Sequence, residues 1–293
     1  MKFQGSYTAL VTPFDKAERL DEETLRRLVA LQLKGGTAGL VPCGSTGEAA
    51  TLTHGEYRRV IEITLEVSRG ETPVIAGVGT NATWKALELA REAESLGADA
   101  LLVLTPYYNK PTQEGLFAHF QAVARGTRLP IIAYNIPGRT AVNLAPKTLA
   151  RLAKACSNIV AVKEAAGSLD QVSEILTLVP PSFTVLSGDD SLTLPMMAAG
   201  AKGVISVVSN IAPKATAELC ALFLKGKTDA AAKLHLKMFP LIKSLFVETN
   251  PIPVKAALGL MKLCRPNPRL PLTTMTPKNL AVLRRELKAF GLI

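Results

Sequence analysis

The chain has 293 residues, 48% of them hydrophobic, 20% charged and 5% aromatic, with 34 Lys plus Arg against 24 Asp plus Glu for a net charge of +10. That composition supports a large buried core and excludes disordered, collagenous and small disulfide-stapled classes. The excess charge is confined to the last quarter: residues 1–224 hold 21 basic and 21 acidic side chains, whereas residues 225–293 hold 13 basic against Asp229, Glu248 and Glu286.

Short apolar runs recur along the chain at 6–10, 39–43, 73–78, 100–104, 130–134, 159–163, 183–187 and 203–208. Each is followed by turn residues and then a helical pattern, which matches strands buried on both faces of a parallel sheet. Helices are predicted between them, among others over 21–34, 53–69, 82–96 and 113–125. Asp21 before Glu22 and Glu23, and Thr53 three residues before Glu56, have the form of N-caps. Strict β-α alternation permits a doubly wound sheet or a closed barrel; a count of eight strands favours an α/β fold of the (β/α)8 TIM-barrel type. The barrel is expected over residues 1–224. Beyond it, 229–246, 254–263 and 277–290 read as helices, so that 225–293 forms a helical extension packed on the barrel. The tail lacks a basic run, and Lys233, Lys237, Lys262, Arg284, Arg285 and Lys288 are spaced as solvated helix faces.

Cys43, Cys156, Cys220 and Cys264 lie far apart with no CxxC pair, which fits a reducing cytoplasm and disfavours a zinc or dithiol site. The first residues, MKFQGSYTALVTPF, lack the apolar stretch of a signal peptide, and no apolar run approaches 18 residues. A cytoplasmic protein without membrane or nucleic-acid partners is therefore expected.

In a barrel the chemistry lies at the C-terminal strand ends. Those ends carry Thr12; Gly44-Ser45-Thr46-Gly47-Glu48; Gly79-Thr80-Asn81; Thr105-Pro106-Tyr107-Tyr108; Tyr134-Asn135; Lys163-Glu164; Gly188-Asp189-Asp190; and Ser206 to Asn210. Lys163 is the informative one. Alternation places Ile159, Ala161 and Lys163 on one face, and an amine ending an apolar strand loses basicity through desolvation. It then becomes a nucleophile able to form a Schiff base with a carbonyl. The alternative is a structural ion pair with Glu164 or another acid. Tyr134, closing the preceding strand, is placed to move protons for such an amine, or simply to pack. The Gly44–Glu48 turn offers backbone N–H groups and two hydroxyls for a carboxylate, although Gly and Ser also build ordinary turns. Arg139, on the loop after Tyr134, suits bidentate capture of a carboxylate, or is simply a surface loop charge.

Other chemistries fit less well. Gly77-Val78-Gly79-Thr80-Asn81-Ala82 has the GxGxxA form of a dinucleotide loop, but it follows the third strand, and Asp99 precedes a strand where it should follow one. His54, His119 and His235 are scattered, so no metal site is expected. Asp189 and Asp190 read as a helix cap.

Taken together, GSTGEAATL, TPYYNKPTQEG, YNIPGRT, VKEAAG, LSGDD, GVISVVSN and NPIPVK make the chain resemble the dihydrodipicolinate synthase family over almost its whole length. The resemblance implies a class I aldolase-type lyase, without cofactor, that condenses pyruvate with L-aspartate 4-semialdehyde. It implies Lys163 as the Schiff-base lysine, Tyr134 as proton donor and acceptor, and Thr46 as pyruvate ligand and relay member. Ser45 stands where many members have threonine. Tyr108 matches a relay residue that reaches a neighbouring subunit's site, within a homotetramer built from tight dimers. Arg139 matches the semialdehyde-carboxylate ligand, and Ile205, with Gly188, the lining of the substrate site. A candidate lysine-effector site maps onto Ala50, His54, Tyr57, Asn81, Lys85 and Tyr107. It is degenerate: Lys85 replaces a glutamate and Tyr57 a histidine, so lysine feedback is expected to be weak or absent. Two alternatives remain at this point. One is another Schiff-base lyase of this kind, such as N-acetylneuraminate lyase or a keto-deoxy sugar-acid aldolase, against which Arg139 argues. The other is a non-catalytic protein binding nucleic acid through the basic tail.

Overall fold

The computed structural model describes residues 3–293. Its strands are β1 (Gly5–Ala9), β2 (Gly39–Val41), β3 (Ile75–Gly77), β4 (Ala100–Leu104), β5 (Ile131–Asn135), β6 (Ile159–Glu164), β7 (Thr184–Ser187) and β8 (Gly203–Ser206). All pair in parallel, in the order β2-β1-β8-β7-β6-β5-β4-β3. The two ends of that sheet meet through a parallel bridge between Leu40 and Val74. There the Leu40 N–H donates to the Pro73 carbonyl (2.9 Å) and the Gly77 N–H to the Pro42 carbonyl (3.0 Å). The fold is the expected α/β barrel.

Around it run α1 (Glu22–Lys34), α2 (His54–Ser68), α3 (Thr83–Leu96), α4 (Gln113–Arg125), the short α5 (Pro137–Thr140), α6 (Pro146–Ala155), α7 (Leu169–Leu178), α8 (Thr193–Ala199) and α9 (Pro213–Leu224). The two predicted caps form. The Asp21 carboxylate accepts the Thr24 N–H (3.0 Å) at the start of α1. Thr53 and Glu56 exchange a capping box at the start of α2, a device that stabilises a helix start by about 1 kcal/mol.

Each strand divides its side chains between two cores. Tyr7, Val41, Ile75, Leu102, Ile132, Tyr134, Ala161, Leu186 and Ile205 fill the barrel interior. Their neighbours Leu40, Val74, Leu101, Val103, Ile131, Ala133, Val162 and Val185 pack outward against the helices. Burial on both faces explains why the strands read as unbroken apolar runs. One expectation fails here. Ile159 does not share a face with Ala161 and Lys163, because Ile131 pairs with Ile159 but Ile132 pairs with Ala161. Val160 is the extra residue of a bulge, which breaks the period of two and turns Ile159 toward the helices.

The C-terminal segment forms α10 (Thr228–Ser244), α11 (Ile252–Leu260) and α12 (Pro277–Phe290). Met238, Leu241, Ile242, Val254, Leu283 and Leu287 share one apolar cluster with Val11, Leu28, Val207 and Val208 of the barrel wall. Lys233, Lys237, Lys262, Arg284, Arg285 and Lys288 are all exposed. Lys255 is not: it is wholly buried against Glu48, so the tail's charge is not all solvated surface. No helix of the described residues is long and apolar enough to cross a membrane.

Candidate active site

Lys163 lies on β6, paired with Tyr134 on β5 and Leu186 on β7. Partners in a parallel ladder point to the same side, so Lys163 and Tyr134 both face the interior. The amine sits 4.1 Å from the Tyr134 ring centroid. Glu164 points the other way. Its carboxylate accepts Asn135 Nδ2 (3.1 Å to each oxygen), Gln171 Nε2 (3.1 Å) and the Ala166 N–H (2.7 Å), so Glu164 is not the ion-pair partner of Lys163. Desolvation lowers the Lys163 amine to about 7; Asp190 partly restores it and Arg139 lowers it further. Gly188 makes room for this side chain, since a Cβ there would stand 2.7 Å from the Ala165 Cβ and 3.1 Å from Lys163 Cγ and Cε.

Tyr134 is buried, which raises its phenol to about 12 against the opposing effects of the Arg139 charge and a hydrogen bond with Ser45. Ser45 and Thr46 sit in the turn after β2, closed by Gly47 N–H to Gly44 O (3.1 Å) and Glu48 N–H to Ser45 O (3.2 Å). Thr12, at the end of β1, donates its hydroxyl to the Gly47 carbonyl (2.7 Å). Asn250, just before α11, donates Nδ2 to Thr46 Oγ1 (3.0 Å) and accepts Arg139 Nη2 on its backbone carbonyl (2.7 Å). Arg139 projects from α5.

A cavity of about 550 Å³ opens over these groups, lined by Ser45, Tyr134, Arg139 and Asn250 and also by Ala50, His54, Tyr57, Lys85 and Tyr107. Lys163 and Thr46, 5% and 4% exposed, adjoin its wall, the first under the Tyr134 ring and the second beside Ser45. Ile205 faces the barrel interior in register with Tyr7. Two expected residues stand apart. Tyr108 is 87% exposed, with a left-handed φ of 73°, and does not line this chain's cavity. Asn81 does not line it either; its carbonyl accepts Asn109 Nδ2 (2.8 Å).

The glycines of the dinucleotide-like motif have a steric purpose. A Cβ on Gly77 would lie 2.2 Å from the Cys43 carbonyl oxygen, and one on Gly79 would lie 2.3 Å from the Leu104 Cβ. They serve close strand packing. Asp189 does cap, accepting the Ser191 N–H (2.8 Å), but Asp190 does not. It turns inward and accepts the Val207 and Val208 N–H groups (2.9 Å each).

This geometry, an interior amine below a buried phenol with hydroxyl and guanidinium groups around one cavity, is accompanied by a family match over residues 2–290, to the dihydrodipicolinate synthetase family. The chain belongs to that family. Among its relatives, the 4-hydroxy-tetrahydrodipicolinate synthase of Syntrophobacter fumaroxidans is 54% identical over 292 residues, covering 99% of this chain and 100% of the relative. The crystal structure of the family's Thermotoga maritima enzyme superposes with a TM-score of 0.98 at 47% identity, covering 100% of both chains. The chloride-inhibited dihydrodipicolinate synthase of Acinetobacter baumannii, solved with pyruvate, gives a TM-score of 0.97 at 44% identity, covering 99% of each chain.

Sequence reasoning did not single out Asn250, Lys255 or Arg269, and it read Asp190 as a cap. Asn250 and Lys255 both lie in the NPIPVK stretch, so its recurrence as a family marker was the available signal. Arg269 carried none.

Proposed function

We propose that this chain is a 4-hydroxy-tetrahydrodipicolinate synthase, condensing pyruvate with L-aspartate 4-semialdehyde through a Schiff base on Lys163. The observation that carries the reading is the desolvated Lys163 amine against the Tyr134 ring, which itself lines a cavity with Ser45 and Arg139. The neutral amine attacks the keto carbon of pyruvate. Tyr134, whose raised pKa keeps it protonated, gives a proton to the departing oxygen, and water leaves the carbinolamine to form the imine. Tyr134 then takes up a proton through its contact with Ser45. Thr46 holds the pyruvate carboxylate, its hydroxyl oriented by Asn250. A methyl proton passes to solvent water to give the enamine, whose terminal carbon attacks the aldehyde carbon; the aldehyde oxygen takes a proton from Tyr134 while Arg139 holds the second carboxylate. The substrate amine finally attacks the imine carbon, closes the ring and releases Lys163. Gly188 serves by leaving space for the lysine, and Ile205 by walling the interior. Tyr108, turned away from its own site, supplies the relay in a second copy of the chain, consistent with a homotetramer of tight dimers.

Borohydride reduction with pyruvate, followed by peptide mass spectrometry, tests the chemistry. A reduced pyruvyl adduct on Lys163 is expected; its absence overturns the mechanism. Cleavage of sialic acid without condensation of the semialdehyde would favour the sugar-acid lyase alternative.

Feedback by lysine is proposed to be weak or absent. Lys85 lines the cavity with His54 and Tyr107, where it repels an incoming ammonium. Lys85 is exposed in the chain, so solvent and salt screen that repulsion. Steady-state rates should be unchanged by sub-millimolar lysine, and Lys85→Glu should increase sensitivity. Strong inhibition of the unmodified enzyme would refute the proposal.

A further inference from the structure

Glu48 closes the turn that carries Ser45 and Thr46, and it is held from three directions. Its backbone is left-handed (φ 55°), a conformation that a non-glycine residue keeps only when its surroundings hold it. One carboxylate oxygen accepts Lys255 Nζ (2.5 Å) and the other accepts the Arg269 N–H (2.8 Å). Lys255 is fully buried, its amine 4.3 Å from the Phe14 ring centroid; the Arg269 guanidinium lies 4.0 Å from the same centroid. Arg269 also reaches the Thr51 carbonyl (2.9 Å) and Glu56 (Nη1 to Oε2, 2.8 Å), so the far side of the turn is bolted to the start of α2. The segment leading into α11 grips the opposite side, through Asn250 Nδ2 on Thr46 Oγ1. Three points of the C-terminal region, before, within and after α11, thus hold both flanks of the hydroxyl-bearing turn.

A buried ion pair adds little net stability compared with an apolar pair of similar size, yet it is directional. Here the direction is toward a turn whose two hydroxyls must meet a carboxylate within a few tenths of an ångström. We propose that Glu48, clamped by Lys255 and the Arg269 backbone, is a positioning residue for imine formation, aiming Ser45 and Thr46 at the carboxylate of the keto acid. The proposal rests on the function proposed above. It separates the two substrates: the keto acid depends on the turn, and the aldehyde's carboxylate depends on Arg139.

The test compares the full-length enzyme with Glu48→Gln, Glu48→Gln/Lys255→Met and Arg269→Ala. Melting temperature, KM and kcat for each substrate, and borohydride trapping of pyruvate are measured. The double variant removes both charges at once and so leaves no unpaired buried ion, which preserves the fold where the single variant loses it. Arg269→Ala removes only the outer clamp. Pyruvate KM is expected to rise about tenfold in the Glu48 variants and about threefold in Arg269→Ala, the scale of one misplaced hydrogen bond to a charged group. The semialdehyde KM should stay within about twofold, as its carboxylate pairs elsewhere. Folded variants with unchanged pyruvate KM, or with only a lower melting temperature, overturn the proposal. A failure of the unmodified enzyme to trap pyruvate would instead overturn the underlying function.

Discussion

Lys163→Ala is expected to abolish the borohydride-trapped pyruvate adduct and to lower kcat/KM for pyruvate by at least about a thousandfold, as loss of a covalent nucleophile does elsewhere. The other lysine at the cavity, Lys85, is exposed on the wall with His54, outside the desolvated interior that activates Lys163. Folding should survive the substitution, because the lost amine is one that the interior disfavours in its charged form. The same environment predicts the pH profile. An ordinary lysine near 10.4 would be neutral in only about one molecule in a thousand near pH 7.4, whereas an amine at about 7 is mostly neutral there. Because the folded-state value is depressed, the active neutral form is lost as pH falls through about 7 and retained above it. On the acid side kcat/KM should drop about tenfold per pH unit, the slope for protonation of a single group. A profile flat down to pH 5 would contradict an amine nucleophile at this position.

Lys255→Met should destabilise the protein by about 3–5 kcal/mol, the usual cost of stranding a buried charge. The pair it breaks is desolvated on both sides, with side-chain exposures of 0% for Lys255 and 2% for Glu48. Burial lowers the Lys255 amine and the Glu48 charge raises it again, so the pair is held together by the carboxylate it faces. Adding Glu48→Gln to Lys255→Met should recover most of the lost stability, since no unpaired ion then remains. Urea unfolding of the single and double variants measures both values. A loss below about 1 kcal/mol in the single variant would show a solvated, surface-like pair.

Several features were legible before any coordinates. Eight apolar runs separated by capped helical patterns pointed to the barrel, because strands covered on both faces cannot alternate with polar residues. Lys163 stood out as an amine ending such a run, and Tyr134 as a phenol ending the previous one. Parallel pairing then placed the two in register. Other features were hidden for identifiable reasons. The Val160 bulge inserts one residue that no periodicity count reveals. Glu164 and Asp190 looked like an ion-pair partner and a cap, and only three-dimensional neighbours separate those readings. Glu164 is taken by Asn135 and Gln171, and Asp190 by the backbone after β8.

The strongest contrast concerns the charge. Sequence alone determined that the whole +10 resides in residues 225–293, because counting requires no geometry. It likewise favoured the barrel and singled out Lys163 as the candidate amine, since both readings follow from local pattern and chemistry. Only the tertiary structure decided that this charge is of two kinds. Most of it is exposed on helix faces, but Lys255 is buried on Glu48 and Arg269 is clamped to Glu56. Those contacts join residues more than 200 positions apart: Lys255 of α11 reaches Glu48 in the turn after β2, and Arg269, from the stretch after α11, reaches Glu56 of α2. A lysine in a helical pattern looks the same in sequence whether it meets water or a carboxylate, and only packing makes the choice.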